Sequence, residues 1–136
     1  HPDFPITSWD TQNNKTTVSP YMASDFWVDP GYRVLIPTAL IFDIPLGYSV
    51  RLHIRSSLAA KFGITLANAE GVIDSDYVEQ IYILVQNNSS HSAQICHGER
   101  ICQGELIPQL EYELFNSPIK PEPKGNRVGG FGSTGK

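Results

Sequence analysis

The feature that most limits the fold is a period of two. Tyr48, Val50, Leu52 and Ile54 alternate with Ser49, Arg51 and His53, which is the spacing of a strand with one dry face and one wet face. No window sustains the 3.6-residue apolar period of an amphipathic helix. Other segments repeat the strand signal. Residues 79–86 (EQIYILVQ) are rich in β-branched and aromatic side chains. Residues 99–107 form a further candidate, as do residues 110–115, where Leu110, Tyr112 and Leu114 alternate with glutamates. From Arg33, an apolar stretch through Val34, Leu35, Ile36, Leu40, Ile41, Phe42 and Ile44 is interrupted by Pro37 and closed by Pro45. A proline inside such a run predicts an edge strand or a break. Residues 64–67 and 71–73 predict a hairpin, residues 56–62 (SSLAAKF) a short helical turn ended by Gly63, and residues 87–90 a turn. Eleven glycines and ten prolines cut the 136 residues into short pieces. The fold expected is all-β: a sandwich, jelly roll or small barrel.

Length and composition set the outer bounds. A chain of 136 residues is one domain's worth. Its 40% hydrophobic and 18% charged residues suit a packed core. The formal net charge of −4 provides no basic field for nucleic acid, so a bound anion must be held by a local cluster of donors. No apolar run approaches the roughly 20 residues that span a bilayer. Two cysteines, Cys96 and Cys102, are too few for a disulfide scaffold and predict reduced thiols in a cytoplasmic compartment. Asn-x-Ser/Thr triplets at Asn14 and Asn88 carry no weight without a secretion signal. Residues 1–20 are polar and irregular and predict an extended arm. Residues 1–124 are expected to form one β domain that ends in a stiff linker with Pro118, Pro121 and Pro123. Residues 125–136 (GNRVGGFGSTGK) hold five glycines and cannot build a core. On composition they are either a disordered tail or an arm that orders on a ligand, with glycine backbone, Ser and Thr hydroxyls, one Arg and one Phe ring as its contacts.

Few residue groups suggest chemistry. Asp74 and Asp76 flank Ser75; either carboxylate can activate water or sit near a metal, and either can equally be a solvated turn acid. Arg55, Ser56 and Ser57 follow the clearest strand, where they suit a phosphate or form a plain helix cap. Gln103 reads alone as a polar strand residue. His53, His91 and His97 lack metal-ligand spacing, and two cysteines six apart do not make a zinc site. Nucleophile-elbow, P-loop and dinucleotide fingerprints are missing.

The order of these signals says more than any one of them. The succession IRSSLA, NAEGVIDSDY, GERICQGELIP and GGFGSTG resembles the ordered motifs of the trimeric dUTPase family, from about Gly31 to Lys136. The resemblance implies a jelly-roll-like β fold and a homotrimer with active sites between subunits. It also implies Mg²⁺-assisted hydrolysis of dUTP to dUMP and pyrophosphate. It makes Asp74 the base for the water that attacks the α-phosphorus, and Tyr77 the ring beneath the deoxyribose. Asn68 and the backbone of Gly71, Val72 and Ile73 would read uracil. Arg55, Ser56, Ser57 and Gln103 would contact phosphates. From the C-terminal arm, Phe131 would close over the base, with Gly132, Ser133, Thr134 and Arg127 at the phosphates. Asp25, in Met22-Ala23-Ser24-Asp25-Phe26, stands for the first motif's acid and would reach the metal through water. This chain departs from the family pattern at four places: Met22-Ala23-Ser24-Asp25-Phe26 stands for a first motif that usually reads Ala-Gly-x-Asp-Leu, Ile54 replaces a Pro, Glu79 a Gly, and Asn126 the Arg that here comes one residue later.

Two other readings compete. A dCTP deaminase shares the fold, but Leu84 occupies the place of its catalytic glutamate. A non-catalytic nucleotide-binding homologue has no need to keep Asp74 and the glycine-rich arm.

Overall fold

The computed structural model describes residues 6–8, 15–22 and 25–130. Among the described residues ten strands and one short helix run in the order β1 (Ile6–Ser8), β2 (Lys15–Val18), β3 (Phe26–Val28), β4 (Arg33–Asp43), β5 (Tyr48–Ile54), α1 (Ser56–Phe62), β6 (Ile64–Leu66), β7 (Gly71–Asp74), β8 (Gln80–Asn87), β9 (Ala93–Ile95) and β10 (Cys102–Pro108). They make two four-stranded sheets, β1-β4-β8-β6 and β2-β10-β5-β7, and a two-stranded ribbon, β3-β9. The fold is all-β, as the pattern predicts, and consistent with the jelly-roll-like arrangement that the resemblance implies.

Alternation explains the layering. Ile81, Ile83 and Val85 of β8 point inward, as do Val50 and Leu52 of β5 and Cys102 and Leu106 of β10. These side chains meet Ile36, Phe42 and Val18 in a single apolar cluster between the sheets. Asn87 ends β8 fully buried rather than lying in the turn. Its amide donates to the carbonyls of Val28 and His91 (2.8 Å each), and its oxygen accepts from the Ser89 N–H and hydroxyl. This satisfies a group that would otherwise be costly to desolvate.

Several local expectations are corrected. Residues 64–67 and 71–73 do not pair as a hairpin: β6 pairs antiparallel with β8 and β7 with β5, so residues 67–70 turn a corner from one sheet to the other. Each short strand takes a longer partner already in place. Pro37 does not mark an edge, because β4 lies between β1 and β8. The proline is absorbed where the β4–β8 register shifts between Pro37 and Ile41, beside Ala39 at φ 56°. Residues 110–115 are not a strand within one chain. They run exposed and pair with no strand among the described residues. In the polar N-terminal stretch, β1 and β2 draw their order from pairing with β4 and β10.

Candidate active site

The first functional group gathers around α1. Strand β5 ends at Ile54, and Arg55 stays extended (φ −66°, ψ 138°) before the helix begins. Its N–H donates to the Ile101 carbonyl at 3.0 Å and its guanidinium to the Arg100 carbonyl at 2.9 Å. Those bonds brace the side chain at the sheet end while leaving donors free. Gly63, left-handed at φ 66°, stops the helix and donates to the carbonyls of Leu58 and Ala59. Pairing of β10 with β5 sets Gln103 opposite His53, and pairing with β2 sets it opposite Thr17. As a result Arg55, Ser56, Ser57 and Gln103, drawn from two distant segments, line one polar cavity of about 420 Å³ with Thr17 and Cys102. The Cys102 thiol is buried and pushed up to about 12 by desolvation, so it contributes bulk there, not charge.

The second group lies on β7 and β8. Val72, Ile73, Asp74, Asp76 and Tyr77 line a cavity of about 290 Å³ with Ile81 and Tyr82. Asp74 is exposed at the end of β7, where one carboxylate oxygen accepts from the Gln109 amide at 3.3 Å. The Tyr77 N–H donates to the Asp74 carbonyl (3.1 Å), and its hydroxyl donates to the Gln80 carbonyl at 2.6 Å. The ring is thus locked beside the acid. Thr17, Tyr82 and Gln109 went unnoticed in the sequence. Tyr82 had a signal, a large ring on the wet side of the alternating β8.

The structure does not bring every predicted residue together. Asn68 lies exposed in the corner at 67–70, outside both cavities. Arg127 is exposed and donates to the Gly129 carbonyl of its own segment. Phe131, Gly132, Ser133 and Thr134 lie outside the described residues. Asp25 accepts the His97 N–H at 3.1 Å. It also lies beside the Cys96 thiol, which is raised by desolvation and by the nearby Asp25 and Glu99 carboxylates. The larger groove, about 500 Å³ under Trp27, Phe62 and Ile95, holds none of the predicted site residues.

The two site cavities share no residue. Asp74 stands opposite Ser49 and Gln103 opposite His53. Four residues along β5 and two strand spacings across separate them by roughly 16 Å. Among the described residues no three acids, histidines or cysteines cluster as a metal cage. A Mg²⁺ bound chiefly by phosphates and water needs only one or two carboxylates, and the exposed Asp76 can supply one.

Comparison with known proteins identifies the family. The family profile described as dUTPase matches residues 21–135. The deoxyuridine 5'-triphosphate nucleotidohydrolase of Bdellovibrio bacteriovorus is 40% identical over 117 residues, 85% of this chain and 76% of that protein. The protein of the same name from Nautilia profundicola is 42% identical over 113 residues, 82% and 78% of the two chains. Among solved structures, the Streptococcus mutans dUTPase superposes with a TM-score of 0.66 at 24% identity, covering 76% of this chain and 84% of that one. A Staphylococcus bacteriophage 80alpha dUTPase variant with dUpNHpp reaches 0.75 at 20% identity over 99% and 94%. At those identities the structural likeness speaks for the fold.

Proposed function

The chain belongs to the dUTPase family, and from that premise we propose how its residues divide the hydrolysis of dUTP to dUMP and pyrophosphate. A triphosphate carries close to four negative charges, so its site must be rich in donors. Arg55, Ser56, Ser57 and Gln103 supply them around one polar cavity, and this convergence carries the reading. When bound with the nucleotide, Mg²⁺ offsets phosphate charge and polarises the reacting phosphoryl group. If Asp25 serves the metal, it does so through water and from outside the two cavities.

Asp74 orients a water and accepts its proton as the water oxygen attacks the α-phosphorus. The bond from that phosphorus to the bridging oxygen breaks, and pyrophosphate leaves with the electron pair. Tyr77, fixed by its bond to the Gln80 carbonyl, packs beneath the deoxyribose and leaves no room for a 2′-hydroxyl. Asn68 and the backbone of Gly71, Val72 and Ile73 recognise uracil. The arm at 125–136 closes the site, with Phe131 over the base and Arg127, Gly132, Ser133 and Thr134 at the phosphates, and excludes bulk water.

The assembly follows from the separation of the halves. A phosphate group and an acid roughly 16 Å apart across one sheet are joined more readily between copies, which supports a homotrimer with interfacial sites. Exposed Leu110, Tyr112, Leu114 and Phe115 supply apolar surface for such contacts. The free thiols of Cys96 and Cys102 support a reducing, cytoplasmic setting. Among the described residues no helix is long and apolar enough to cross a membrane.

Pyrophosphate release measured with dUTP, dTTP, dCTP and UTP, with and without Mg²⁺, tests the reading. A clear preference for dUTP, dependent on Mg²⁺, is expected. Equal turnover of UTP would remove Tyr77 from its role, and ammonia from dCTP without pyrophosphate from dUTP would make the chain a deaminase.

A further inference from the structure

Glu70 belongs to none of the groups named above, yet it is the most tightly gripped side chain near the corner at residues 67–70. Ala67 N–H donates to the Leu84 carbonyl at 2.9 Å and Ala69 N–H to the Leu66 carbonyl at 3.0 Å, which tie the corner to the first sheet. Glu70 N–H donates to the Asn68 carbonyl at 2.6 Å, and Ala69 is left-handed at φ 65°, which closes the turn on itself. Among the described bonds of residues 67–70, only the Glu70 carboxylate reaches the second sheet. One oxygen accepts from the Arg51 guanidinium at 3.2 Å, the other from His53 Nε2–H at 2.6 Å. Arg51 and His53 are two residues apart on β5 and so share its wet face. Donors at both oxygens fix the carboxylate's orientation as well as its position. The same contacts hold it below the usual carboxylate range, through His53 first, so it stays charged.

The geometry points to Glu70 as a positioning residue for base selection. Clamped by Arg51 and His53, it holds the corner that carries Asn68 and leads into Gly71–Ile73 in the one orientation that discriminates uracil. This inference rests on the proposed role of that corner in reading the base. Glu70 itself touches no substrate, so its loss should loosen base recognition and leave the chemistry at Asp74 nearly intact. A residue that merely supports the fold would lower stability without moving selectivity.

The test uses the full chain with Glu70→Gln, which keeps shape and removes charge, Glu70→Ala, which removes both, His53→Ala and His53→Arg. KM and kcat are measured for dUTP and dCTP, and oligomeric state by sedimentation velocity. Glu70→Ala should raise KM for dUTP about tenfold and narrow the preference over dCTP, with kcat within about twofold of the parent. Glu70→Gln should fall between the two. His53→Arg, which retains a donor, should stay near the parent. Adding His53→Ala to Glu70→Ala should cost little more than Glu70→Ala alone, because the two act through one contact. Unchanged KM and selectivity in an active Glu70→Ala protein would overturn the assignment alone, as would a fall in kcat at constant KM or a changed oligomeric state. A parent chain that releases no pyrophosphate from dUTP would instead sink the underlying reading of the corner.

Discussion

Replacing Gly63 by alanine gives a stability loss that can be worked from three separate terms. Gly63 ends α1 at φ 66°, and an alanine held in the left-handed region costs about 1–2 kcal/mol. A Cβ built there falls 2.8 Å from Ser89 Cβ, with the Ser89 backbone nitrogen and Cα at 3.1 and 3.3 Å. None of these atoms is the end of a flexible side chain, so the backbone must move, at about 1–3 kcal/mol. Alanine also restricts the unfolded chain, which returns about 0.4–1 kcal/mol. The net loss is therefore about 1–4.5 kcal/mol. Urea unfolding at a fixed protein concentration measures it directly. Comparison with Gly63→Asn separates the terms, since asparagine accepts the left-handed backbone but still carries the Cβ. Asparagine should recover about 1 kcal/mol and no more. Below the unfolding transition, pyrophosphate release should be close to normal, because Arg55, Ser56 and Ser57 sit at the opposite end of the helix. A loss under about 0.5 kcal/mol would refute the steric argument.

Asp74→Asn keeps an oxygen for the Gln109 amide, so it should fold as the parent does and bind dUTP while turnover falls at least about a hundredfold; near-normal turnover in a steady-state assay would refute the general-base role. Deleting residues 125–136 should slow pyrophosphate release and leave the oligomer seen in sedimentation intact, and an unaffected rate would reduce the arm to a tail. The raised Cys102 pKa carries a sign. The native state holds the thiol proton more tightly, so the contribution is fully present below pH 9 and is lost as pH rises from 9 towards about 12. Denaturant midpoints should fall across that window in the parent and less in Cys102→Ala, and alkylation of the folded protein at pH 8 should leave Cys102 unlabelled.

Much of the fold was legible because alternation is a local property. The segments around Tyr48–Ile54 and Gln80–Asn87 announce which side chains face the core, and both are strands with those faces inward. Pairing is not local. The run at 110–115 alternates as clearly as β5, yet it pairs with no strand among the described residues. Lys15–Val18 has little apolar pattern, yet it is ordered by antiparallel pairing with β10. Residues 64–73 contain two short strands and a turn, the local pattern of a hairpin. Only the competition with β8 and β5 for partners turns them into a corner between sheets.

The site divides along the same line. Arg55 and Gln103 are nearly fifty residues apart, and nothing in composition or spacing joins them; their shared cavity follows from the register of β10 on β5. Motif order carried that pairing without the geometry. The Glu70 clamp had no motif to reveal it, because its meaning depends on the corner that brings the carboxylate over β5. The separation of Asp74 from the phosphate donors has the same origin. Asp74 and Gln103 lie on the wet face of one sheet, so their distance is set by strand rise and strand spacing. On the proposed reading, one nucleotide needs both groups, and a second copy supplies the half that one sheet keeps at a distance, so the symmetry of the proposed assembly becomes part of the proposed site.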